Sequence, residues 1–78
     1  MRSSFEIIAE ILKISKNGAK KTRIMYSCGL SYRFVQKYLD VLLETGLLRM
    51  GSCYQTTERG MGFLSKYQTL DLLMNTRN

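Results

Sequence analysis

The chain has 78 residues, enough for one domain and no more. Twelve Lys and Arg against six Asp and Glu leave a net charge of +6, which favours a polyanionic partner, either nucleic acid or an anionic membrane. No apolar run is long enough to span a bilayer and the N-terminus lacks a secretory signal pattern, so an intracellular protein is expected, and the absence of His removes the commonest general base and metal ligand.

A capping box opens the chain: Ser3 caps and Glu6 reaches back to it, predicting a helix to about Lys16 that stops at Asn17-Gly18. Its apolar residues (Phe5, Ile7, Ile8, Ala9, Ile11, Leu12, Ile14) spread wider than one stripe. The helix is therefore expected to be buried on two sides; a single, generously apolar core helix is the alternative. Ala19 to Lys21 reads as extended chain. Thr22 is the expected cap of a two-turn helix through Ser27, with Ile24, Met25 and Cys28 inward. Gly29 supplies the turn and Leu30 plugs the core. Ser31 caps a third helix to about Glu44, with Val35, Leu39, Leu42 and Leu43 inward and Tyr38 at the edge. Phe34 borders this stripe and is assigned to it, an exposed aromatic contact being the alternative. Thr45-Gly46 ends the helix.

Two short extended runs, Leu47 to Met50 and Cys53 to Thr56, flank Gly51-Ser52 and predict a small hairpin with a two-residue tip. Thr57 caps a last helix to about Met74, with Gly60, Phe63, Leu64, Tyr67, Leu70 and Met74 at helical spacing. Its first half can close the core; its second half projects and needs a partner. The tail from Asn75 to Asn78 is expected to fray. The predicted fold class is mainly α with a small β-hairpin, a winged helix-turn-helix with an extended C-terminal helix. Residues 1–57 are the expected DNA-binding domain and 58–78 the expected dimerisation element.

Between Glu10 and Asp40 lie Lys13, Lys16, Lys20, Lys21, Arg23, Arg33 and Lys37, with no acid among them. This run coincides with the helix-turn-helix pattern, whose second helix enters the major groove of DNA. On that helix Arg33 suits guanine and Gln36 suits adenine. Tyr32, Lys37 and the helix start at Ser31 suit phosphate. Lys20, Lys21 and Arg23 are assigned to the phosphate backbone, and Arg49 with Ser52 to a wing contact. Lys13 and Lys16 are assigned to a solvated face. Tyr67, Leu70, Leu73 and Met74 are the expected dimer interface. Cys28 and Cys53 read as small buried hydrophobes, with a redox or intersubunit disulfide role as the alternative.

The segments EIIAEIL, NGAKKTRIMY, LSYRFVQKYLDVLLETGLL and TTERGMGFLSKY together resemble the small archaeal winged-helix DNA-binding proteins. These occur as chromatin-associated proteins and as plasmid or viral regulators in thermophilic archaea. The similarity runs from about Phe5 to Tyr67. It implies a homodimer, often formed through an antiparallel coiled coil of C-terminal helices.

The expectation is a dimeric regulator of transcription that binds double-stranded DNA, cytoplasmic and nucleoid-associated. The alternatives are a sequence-nonspecific architectural binder and a winged-helix protein-interaction module using Phe34 and Tyr32. No catalytic constellation, metal site, cofactor, membrane association or small-molecule ligand is expected.

Overall fold

Local hydrogen bonding decides where this chain turns into helix. In the computed structural model, which describes residues 2–76 (Thr76 by its backbone alone), the elements are α1 (Ser4–Ile14), α2 (Lys21–Cys28), α3 (Tyr32–Glu44), β1 (Leu48–Met50), β2 (Tyr54–Thr56) and α4 (Glu58–Thr76). The capping box forms as expected. The Glu6 N–H donates to Ser3 Oγ at 3.2 Å, and the Ser3 N–H donates to Glu6 Oε1 at 3.0 Å. Hydrogen bonding to the Ser3 backbone N–H, and then to the Ser3 side chain, holds the Glu6 carboxyl below its ordinary range. Ser31 caps α3 by accepting from the Phe34 N–H at 3.3 Å. Thr57 caps α4 by accepting from the Gly60 N–H at 3.0 Å.

Four boundaries differ from expectation. The first helix ends at Ile14, with Ser15 as C-cap, rather than near Lys16. Thr22 caps nothing: α2 starts two residues earlier than such a cap implies, behind Lys20, and no side chain caps it. The reason is tertiary. Ala19 forms an antiparallel bridge to Tyr54, so extended chain gives way to helix at Lys20. The hairpin tip holds three residues, 51–53, because Met50 pairs with Tyr54 and Cys53 is spent on the turn. At the other end α4 runs on through Asn75 and Thr76, past the expected stop at Met74. The rest of the expected frayed tail, residues 77–78, lies outside the described residues.

Gly29 takes the left-handed conformation (φ 63°) that joins α2 to α3 without strain. The N–H of Leu30 then bonds back to the Met25 carbonyl at 3.0 Å. This bond closes the turn between α2 and α3.

The core is built from one stripe of every helix: Ala9, Ile11 and Leu12 of α1, Ile24 and Cys28 of α2, Val35, Leu39 and Leu42 of α3, and Leu64 of α4. Leu48 and Tyr54 of the hairpin complete it, with Ala19. α1 packs on α2, α4 and β2, which accounts for its broad apolar surface. Burial pushes the Cys28 thiol up to about 11, with the Glu10 carboxylate adding to the shift and the Arg2 guanidinium opposing it. Arg2 also ties the chain ahead of α1 to the end of α2, donating to Glu10 and to the Cys28 carbonyl. Both cysteines are free thiols.

At Gly60, α4 crosses the start of the hairpin at close range. A Cβ there would lie 2.2 Å from the Leu47 carbonyl oxygen and 2.7 Å from Thr56 Cγ2. Beyond Tyr67 the helix leaves the core. Leu70, Leu72 and Met74 are 62%, 65% and 67% exposed.

Candidate nucleic-acid interface

α3 has an unambiguous inner side. Val35, Leu39 and Leu42 are fully buried, so residues half a turn away must face out. Arg33 and Lys37 lie on that outer side and are exposed. Tyr32 is exposed too, at the rim facing α2. Gln36 is half-buried at the same rim.

The start of α2 adds positive charge beside this face. Lys20 and Arg23 are exposed and line a shallow groove whose other wall includes Cys53 of the hairpin tip. The hairpin and the start of α2 therefore border one surface. Lys21 behaves differently from its neighbours. Its ammonium sits 4.9 Å from the centre of the Tyr32 ring and 3.4 Å from the Tyr32 hydroxyl, and donates to Gln36 Oε1. A lysine read as a phosphate contact is thus engaged with side chains of α3.

The remaining expected residues divide. The Ser31 hydroxyl is used inside the α3 cap. Ser52 is exposed at the hairpin tip. Arg49 is exposed but held to its own hairpin, since Nη2 donates to Gln55 Oε1 at 2.7 Å across the β1–β2 pairing. Tyr67, Leu70, Leu73 and Met74 lie on α4, away from this surface. There Tyr67, Leu70 and Met74 line an apolar groove with Phe5 and Phe63, whose rings stack at 6.5 Å between centroids. Leu73 is 55% exposed.

Phe34 is not part of the core. It is 56% exposed, on the side of α3 facing α1, where it lines a shallow apolar surface with Ile8, Tyr38 and Val41. The core stripe passes through Val35, and the 100° step per residue carries Phe34 off it.

Sequence reasoning missed Asp40, which served only to end an acid-free run. It is exposed on the outer side of α3 and accepts from Gln36 Nε2 at 2.8 Å. Its signal was the Gln36–Asp40 spacing, since amide and carboxylate four residues apart on a helix form a favourable pair. No group of His, Cys, Asp and Glu that could hold a metal occurs among the described residues. No described helix is long and apolar enough to cross a membrane.

Comparison with known proteins places this arrangement. A family model described as winged helix-turn-helix matches residues 1–75. The chain is 40% identical over 78 residues to the uncharacterized protein MJ0287 of Methanocaldococcus jannaschii, covering 97% of this chain and 80% of that one. It is 36% identical over 69 residues to the uncharacterized protein MJ0290 of the same organism, covering 86% of this chain but 33% of that longer relative. In three dimensions it is similar to Sso10a-2, a DNA-binding protein from Sulfolobus solfataricus. The TM-score is 0.82 at 27% identity, over 96% of this chain and 84% of that chain.

Proposed function

Since the chain belongs to the winged helix-turn-helix family, we propose that it binds duplex DNA through α3 in the major groove, as a homodimer that regulates transcription. The observation that carries this reading is the outer side of α3. Arg33 and Lys37 stand there exposed, with Tyr32 and Gln36 at its rim and Lys21 of α2 against them, while Lys20, Arg23 and Cys53 of the hairpin tip line one shallow groove. An arginine on an exposed helix face forms a fork that matches guanine O6 and N7. The basic residues around it suit phosphate, where they set register rather than sequence. Ser52 and Arg49 would reach the adjoining backbone. Arg49 must first release Gln55, so its share is small. The description of Sso10a-2 as a DNA-binding protein supports the same reading.

The dimer is proposed from α4. Leu70 and Met74 continue the stripe that closes the core at Leu64, yet stand in solvent beside Phe5 and Phe63. A second copy of α4 would cover them, with Tyr67 and Leu73 at the same contact. Residues 1–57 would then carry the DNA-facing surface while the end of α4 pairs subunits. Two copies of α3 would meet half-sites roughly 34 Å apart, or at another spacing set by the dimer. Such a protein works in the cytoplasm, on the nucleoid.

The test is duplex affinity against salt. Binding should weaken by orders of magnitude between about 50 and 200 mM salt as released counterions are outcompeted. Arg33→Ala should lose about 1–3 kcal/mol on a selected site and relax base choice there. Unmeasurable duplex affinity at low salt sinks the proposal. Enrichment of no motif from a random duplex pool, with affinity intact, would instead make the protein a sequence-nonspecific architectural binder.

A further inference from the structure

Tyr32, Gln36 and Asp40 recur every four residues, so they form one stripe along α3. Lys21 reaches that stripe from the first turn of α2. The resulting chain of contacts runs from Lys21 Nζ, over the Tyr32 ring, to Gln36 Oε1, and from Gln36 Nε2 to Asp40 Oδ1 at 2.8 Å. An ammonium only donates and a carboxylate only accepts. The two together settle which way the Gln36 amide points, with its oxygen toward Lys21 and its nitrogen toward Asp40.

Gln36 keeps one N–H and one acceptor site in that pose. Adenine presents an N7 acceptor and an N6 donor in the major groove, which asks for one donor and one acceptor. Guanine presents two acceptors, N7 and O6. The Asp40 carboxylate beside the amide would face them with a further acceptor, and would also oppose any phosphate brought onto this side of the helix. An acid in the middle of a cationic face weakens binding by charge alone. It has a use if that face must choose.

We propose that Lys21 and Asp40 are positioning residues that hold Gln36 for adenine, and that Asp40 determines specificity by rejecting guanine at that position and lowering affinity for unselected duplex. This rests on the reading that α3 lies in the major groove. It assigns Lys21 to the amide rather than to phosphate.

Selection from a random duplex pool, run in parallel on the wild-type chain and its variants, tests this. Affinity for one unselected duplex is measured alongside. The wild type should enrich sites with adenine at one fixed position, and Gln36→Ala should lose that preference. Asp40→Ala should lower the adenine-over-guanine preference by about tenfold, while binding unselected duplex more tightly than the wild type. Asp40→Asn keeps an acceptor for Gln36 without the charge, so it should retain more of the adenine preference yet also bind unselected duplex more tightly. Lys21→Met should lower the adenine preference; a lysine that only holds phosphate would weaken all sequences alike. Thermal melting of each variant controls for folding. Unchanged selection by Asp40→Ala, or duplex binding by the wild type without any base preference, overturns the inference and leaves DNA binding standing. Failure of the wild type to bind duplex at about 50 mM salt removes both.

Discussion

The two longest helices spend their apolar residues in opposite ways. α3 buries its whole inner stripe, Val35, Leu39 and Leu42, and turns a mostly polar outer side to solvent. α4 buries Gly60 and Leu64, then carries the same stripe into solvent as Leu70 and Met74. The first helix leaves Phe34 and Val41 exposed on the side facing α1 and Tyr32 at its rim, but its outer side is polar and free to act as chemistry. The second is packed only over its first half, so what it exposes is apolar area that water disfavours by about 25 cal/mol per Å². The contrast is the ground for proposing ligand recognition by α3 and self-association through the end of α4.

The sharpest way to break this contrast is at two glycines of α4. A Cβ at Gly60 meets the Leu47 carbonyl oxygen at 2.2 Å, whereas one at Gly62 meets nothing within 4 Å. Gly60→Ala should cost about 3 kcal/mol through overpacking, lowering the melting temperature by roughly 12 °C or more. Gly62→Ala should be neutral, or stabilise by up to about 1 kcal/mol through helix propensity. Equal melting temperatures for the two variants would mean that the first half of α4 is not seated in the core.

The next effect separates the two halves of α4. Leu70→Ser with Met74→Ser should leave the monomer's fold intact and weaken the proposed dimer by at least about a hundredfold. Sedimentation equilibrium over a range of concentrations reads this directly. A double variant that stays dimeric would move the interface off this stripe.

The smallest effect compares the helix starts. Thr57 accepts from the Gly60 N–H and donates to the Gly46 carbonyl at 2.6 Å, which ties α4 to the end of α3. Among the described residues the Ser31 side chain makes only its cap bond. Thr57→Ala should therefore cost about 2 kcal/mol and Ser31→Ala about 1 kcal/mol, read from chemical denaturation. The reverse order would mean that the start of α3 is the more firmly built of the two.

Much of the fold was legible because its determinants are local. Ser3 with Glu6, Ser31 and Thr57 each act within three residues, and Gly29 acts on its own backbone. Reading failed where a distant segment intervened. Thr22 looked like a cap, but the Ala19–Tyr54 bridge moved the helix start ahead of it. Cys53 looked like strand, but the pairing of Met50 with Tyr54 left it in the turn. Of the candidate site, the exposure of Arg33 and Lys37 followed from helical period. The clasp of Lys21 on Gln36 did not, since it depends on the angle between α2 and α3. Phe34 could have been placed by the same period, and being one residue from Val35 obscured it.

The sequence by itself determined the helices, the caps at Ser3, Ser31 and Thr57, the turn at Gly29, and the basic face of α3, because hydrogen bonds within a turn and a 3.6-residue repeat need no distant partner. Tertiary structure alone decided why residue 60 must be glycine, where α2 begins, and that Lys21, Gln36 and Asp40 form one hydrogen-bonded group. Each of these depends on the separation of two segments distant in sequence, and that separation is set only when the core packs.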